Sequence, residues 1–196
     1  MLVVLTGKVG VGKSTICRKV IGLCRNRGYS SGGVLTYKDG DGDILARDVH
    51  RGTEMTLASR NREHGGPRAG AYSFNPEGLA FGMDALNRGA DLPLLVVDEI
   101  GPLELAGSGF ANAVPLVRHR KTGHCIVVIR SNLLDSFLPQ LGGAPLVFET
   151  TTSSRDDIPF RIAQILTPAL PDGQVASLGR LELPTHCLEG MARYAN

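Results

Sequence analysis

Gly7-Lys8-Val9-Gly10-Val11-Gly12-Lys13-Ser14, followed by Thr15, carries the densest chemical signal in the chain. Its spacing, G-x-x-x-x-G-K-[ST], is the one a phosphate-cradling loop needs. Gly7, Gly10 and Gly12 let the backbone bend where side chains forbid it and let phosphate oxygens come close. The loop's N–H groups then converge on an anion at the start of the next helix, where the helix dipole adds positive potential. Lys13 is placed to reach the β- and γ-phosphates, and Ser14 to hold Mg2+ through its hydroxyl. A glycine-rich turn between a core strand and a helix is the competing account. The apolar strand before the loop and the helix pattern after it favour the phosphate site, so the expected ligand is a nucleoside triphosphate.

The same chemistry needs a carboxylate at the end of a core strand, aimed at the metal. Asp98 ends the apolar run Leu94-Leu95-Val96-Val97 and is the candidate second metal ligand. Glu99 is placed to orient or deprotonate a water in line with the γ-phosphate. Acidic residues also end strands without chemical purpose, which is the plain alternative for both. Arg130 ends the next apolar run, 125–129; from there it senses the γ-phosphate or is simply solvated. Arg155 follows the last core strand, where it stacks on a base or makes a surface ion pair, with Asp156 beside it as a helix cap. Lys8 stands where one variant of the loop carries a second lysine that reaches a phosphate across a dimer; a solvated loop lysine is the alternative. Asp98-Glu99-Ile100-Gly101 also fits the D-x-x-G pattern of GTPases, but no N-K-x-D guanine reader follows.

These groups must be positioned by alternating strands and helices. The spacing predicts strands over 2–5, 32–37, 44–49, 54–57, 92–97, 125–129 and 146–149. It predicts helices over 12–26, 76–88 (capped by Asn75, with Pro76 first), 108–120 (bent by Pro115), 133–138 and 158–166. Leu79, Met83 and Leu86 are the expected apolar stripe of the second helix. Several strands are continuous apolar runs, the mark of a mostly parallel sheet covered on both faces. A β-hairpin extension is expected over about 32–58, turning at Asp39-Gly40-Asp41-Gly42; without a glutamate at the twelfth position this run reads as a hairpin turn rather than a calcium loop. Residues 59–70, polar, basic and glycine-rich, are expected as a mobile loop outside the sheet. One domain over 1–166 and a tail over 167–196 follow, with a possible short helix at 188–194.

Composition is that of an ordinary globular chain: 196 residues, 42% hydrophobic, 20% charged and a net charge of +2. Its densest basic stretch, Arg118-His119-Arg120-Lys121, includes a histidine, so neither nucleic acid nor an anionic membrane is required as a partner. No stretch is long and apolar enough for a signal peptide or a membrane span, and a cytoplasmic location is expected. Cys17, Cys24, Cys125 and Cys187 show no C-x-x-C spacing and read as free thiols in a reducing compartment.

Asp98-Glu99-Ile100-Gly101-Pro102-Leu103-Glu104-Leu105 resembles the D-E-I-G-x-[ML]-E-L signature of the thermophile-type, or cancer-related, nucleoside-triphosphatase family. Gly32-Gly33-Val34-Leu35-Thr36, Gly66-Pro67-Arg68-Ala69-Gly70-Ala71-Tyr72 and Thr152-Ser153-Ser154-Arg155-Asp156 are similar to further segments of that family, in order. Val9 stands where the family often has proline, and Ser154 where it has asparagine. The resemblance covers roughly residues 1–166. It implies a RecA-like three-layer α/β fold and slow, Mg2+-dependent hydrolysis of ATP, GTP and other triphosphates to diphosphates. Two other readings share the loop. One is a nucleotide-regulated GTP-binding partner protein of the molybdopterin guanine dinucleotide type. The other is a small-molecule kinase in which Glu99 deprotonates a hydroxyl instead of water.

Overall fold

The computed structural model describes residues 1–120 and 123–167. Its strands are β1 (Leu2–Gly7), β2 (Ser31–Lys38), β3 (Ile44–Asp48), β4 (Glu54–Ser59), β5 (Arg68–Ala69), β6 (Tyr72–Phe74), β7 (Leu94–Ile100), β8 (His124–Ile129) and β9 (Leu146–Thr150). Its helices are α1 (Lys13–Arg25), α2 (Pro76–Gly89), α3 (Pro102–Leu105), α4 (Ala113–Arg118), α5 (Leu134–Leu141) and α6 (Ile158–Leu166). All nine strands form one sheet, ordered β5-β6-β4-β3-β2-β7-β8-β1-β9. From β2 to β9 every neighbouring pair is parallel; from β2 outward to β5 every pair is antiparallel.

The apolar runs explain the three layers. On β1, Val3 and Leu5 face one side and Val4 the other; on β8, Ile126 and Val128 oppose Val127 and Ile129. The first face is covered by α1 and α6 through Ile16, Val20, Ile158 and Ile162. The second is covered by α2, α4 and α5 through Leu86, Val114, Val117 and Phe137. Full burial of each such side chain contributes about 1.5–3 kcal/mol, so a strand apolar on both faces is stable only inside this sandwich. The chain leaving β1 goes to the first face and the chain leaving β8 to the second, which opens a crevice at the strand ends between them.

Several expectations change. The 59–70 loop does not stay outside the sheet, because Arg68 and Ala69 pair with Ser73 and Tyr72 at its edge. The expected 108–120 helix shrinks to α4, with Pro115 in its first turn, where a missing N–H has no helical partner to lose. The short α3 was not foreseen. On α2, Leu86 is buried while Leu79 and Met83 are only partly so; the buried face is completed by Gly78, Gly82, Ala85 and Gly89. The Asp39 turn is a hairpin whose Oδ1 accepts the Asp41 and Asp43 amides. Cys17, Cys24 and Cys125 are buried free thiols. Cys187, the tail and the 188–194 helix lie outside the described residues.

The small face of α2 permits a close approach to β2. A Cβ on Gly32 would lie 2.6 Å from the Gly89 Cα. Gly33, next along, has φ +103, and a Cβ there would meet the Val96 carbonyl of β7 at 2.0 Å. Gly33→Ala therefore combines a left-handed backbone with a backbone collision, and should lower stability by about 2 kcal/mol or more. Urea unfolding checks this: the midpoint should fall at constant slope, and an unchanged midpoint would contradict the packing.

Candidate active site

The loop between β1 and α1 adopts the conformations its glycines allow, with φ of +138 at Gly7, +79 at Gly10 and +108 at Gly12. Gly12 is the N-cap of α1 and gives it no side-chain cap, so the first-turn amides have no side chain to satisfy them. That is the electrostatic setting that attracts a phosphate. Lys8, Val9, Gly10 and Thr15 are exposed, while Val11, Gly12 and Ser14 are half-buried. Lys13 is buried, and its Nζ donates to the Gly7 carbonyl at 2.9 Å and the Lys8 carbonyl at 3.0 Å, bridging its own loop.

Asp98 and Glu99 lie near the end of β7, where its pairing with β8 becomes irregular between Val97 and Ile100. Asp98 is fully buried. Its Oδ2 accepts the Thr36 amide of β2 at 3.1 Å, and its Oδ1 has no hydrogen-bond partner. Burial pushes its carboxyl up to about 7, against the pull of the nearby Ser14 hydroxyl, the Thr36 amide and Lys13, with Glu99 adding to the rise. A water-excluded carboxylate with one free oxygen beside a serine hydroxyl is a pair of hard oxygen donors, the kind Mg2+ takes.

Glu99 is one-fifth exposed. Its Oε1 accepts Arg130 Nε at 2.6 Å, and its Oε2 lies 3.7 Å from Lys13 Nζ. Arg130 follows β8 directly, so three neighbouring strand ends deliver Lys13, Glu99 and Arg130 to one point. Arg155 sits in the turn after β9, exposed, its Cδ 4.0 Å from where a Cβ on Gly12 would stand. It therefore lies over the start of α1. Asp156 pairs with Lys19 at 3.6 Å instead of capping α6, whose N-cap is Asp157. Ser154 closes this turn, accepting the Thr151 amide at 3.0 Å and donating to the Glu149 carbonyl at 3.2 Å.

Two residues that the sequence placed only in the family resemblance, Glu104 and Thr36, have structural roles at the site. Glu104 accepts the Gly101 amide at 2.7 Å and the Phe110 amide at 2.8 Å, pinning the loop after β7. Its signal was legible, since proline at the first position and glutamate at the third mark a helix start. Thr36 stands between two cavities. One of about 460 Å³ is lined by Ser14, Arg18, Tyr37, Arg47 and Glu54. The other, about 90 Å³, opens at Glu99 and Arg130. No local pattern announces either, because each is built from distant segments.

A family model described as NTPase matches residues 2–163. Nucleoside-triphosphatase THEP1 of Methanopyrus kandleri is 29% identical over 180 residues, covering 83% of this chain and 93% of that protein. The protein of the same name from Archaeoglobus fulgidus is 30% identical, covering 85% and 99%. The crystal structure of THEP1 from the hyperthermophile Aquifex aeolicus matches this fold with a TM-score of 0.70 at 21% identity, over 85% of this chain and 99% of that one. Loop, strand-end carboxylates and a match along most of the chain agree, and the chain belongs to the NTPase family.

Proposed function

We propose that this chain hydrolyses nucleoside triphosphates, ATP, GTP and others, to diphosphate and phosphate in a Mg2+-dependent reaction. Nucleoside-triphosphatase activity is the character of the family to which it belongs. The observation that carries the finer reading is the Glu99 carboxylate held between Lys13 and Arg130 at the mouth of the phosphate loop. Lys13 turns from the Gly7 and Lys8 carbonyls to the β- and γ-phosphates, where its charge meets the charge that develops in transfer. That turn frees Glu99 Oε2 to orient the attacking water. Arg130, anchored on Oε1, faces the γ-phosphate, and Arg155 over the start of α1 offers its guanidinium plane to the base. Ser14 and Asp98 would hold the metal ion, which would supply neutralisation of phosphate charge. Stacking on an arginine is indifferent to base identity, and the sequence has no N-K-x-D guanine reader.

Phosphate release measured with ATP, GTP, CTP and UTP, with and without Mg2+, tests this. Rates should agree within about tenfold, or ~1.4 kcal/mol, and should vanish without the metal. A GTP preference of about a thousandfold with negligible turnover would instead favour a guanine-nucleotide-regulated partner protein.

The metal shell gives a second prediction. Asp98→Asn should raise the Mg2+ concentration needed for half-maximal rate, because the variant offers the metal a neutral oxygen in place of a charged one. A Mg2+ titration unchanged from the parent would remove Asp98 from that shell.

A further inference from the structure

The smaller cavity beside Glu99 has room for more than the water that Glu99 would orient. Its volume is about 90 Å³, whereas one water needs roughly 10–15 Å³ on this measure. The larger part of its wall is apolar, with Leu57 of β4, Ala69 of β5, Leu79 of α2 and Phe110 of the loop after α3. The Glu104 carboxylate at its edge is already taken by the Gly101 and Phe110 amides. The side chains left to orient a ligand are Glu99 and Arg130, with Thr36 beside them, so its polar contacts gather at the Glu99 end. Apolar walls with convergent polar groups at one end describe a site for a small organic molecule that presents one polar group to the carboxylate.

From this we infer that the site also transfers the γ-phosphoryl group to a small uncharged alcohol with an apolar body, seated in this cavity. The inference rests on the nucleotide-hydrolysis reading, since it uses the same loop and the same carboxylate. The alcohol oxygen attacks the γ-phosphorus as its proton passes to Glu99 Oε2. The bond from phosphorus to the β–γ bridging oxygen breaks, and its electron pair leaves on the diphosphate. Triphosphate and alcohol thus become diphosphate, alkyl phosphate and a proton. Water and alcohol compete for one phosphoryl group, and occupancy of the cavity decides between them.

The test follows the full chain with MgATP by phosphorus NMR in the presence of isobutanol or 1,4-butanediol. An alkyl phosphate resonance should appear, and the ADP formed should exceed the inorganic phosphate by the same amount. The partition between alkyl and inorganic phosphate is internal to each reaction, so it reads cavity occupancy independently of overall rate. Ala69→Leu on β5 and Leu79→Phe on α2 each fill part of the cavity, and either should shift that partition toward inorganic phosphate. Inorganic phosphate equal to ADP with both alcohols would overturn the inference while leaving hydrolysis intact. A partition unmoved in both filled variants would also overturn it. Absence of ADP under every condition would sink the hydrolysis reading together with it.

Discussion

Two cations grip the Glu99 carboxylate, Arg130 on one oxygen at 2.6 Å and Lys13 facing the other at 3.7 Å. At the effective dielectric near a protein surface, a charge pair at that longer distance carries about 4 kcal/mol of direct attraction, much of it offset by desolvation. What the arrangement supplies is therefore geometry more than stability. Lys13 comes from the start of α1, Glu99 from β7 and Arg130 from the end of β8. They meet because β8 is inserted between β7 and β1, and because the chains leaving β8 and β1 go to opposite faces. A ligand that draws Lys13 away releases one oxygen of the carboxylate and leaves the other anchored.

The antiparallel half of the sheet is more than an appendage. Its first strand, β2, gives the Thr36 amide to Oδ2 of the fully buried Asp98 carboxylate. Its outer strands provide walls for the cavity at Glu99. The Gly32–Gly89 approach sets how closely α2 can lie on this extension. Substitutions there act on the site through packing, at a distance from any reacting atom.

The glycine-rich turn between β1 and α1, and the placement of Asp98 and Glu99 at a neighbouring strand end, were legible because they are written in adjacent residues with a fixed spacing. The parallel core was equally legible, since strands such as Ile126-Val127-Val128-Ile129 are apolar on both faces. Legibility ended where contacts join distant segments. Pairing of Arg68–Ala69 with the sheet depends on a two-residue register that no periodicity reveals. The small face of α2 was read as an apolar stripe, because hydrophobicity was visible and close approach was not. Arg130 could be placed at a strand end, but its bond to Glu99 needed the strand order.

The central claim is that Glu99 positions the attacking water, and one measurement bears on it most directly: single-turnover release of labelled phosphate by Glu99→Gln at saturating Mg2+, with nucleotide affinity measured alongside. The amide keeps the shape and loses the base, and its contact with water matters most in the transition state. The account predicts a rate lower by about 10²–10⁴-fold with affinity little changed, so that bound triphosphate persists. Hydrolysis at the parent rate would contradict it and leave Glu99 as an ordinary strand-end carboxylate.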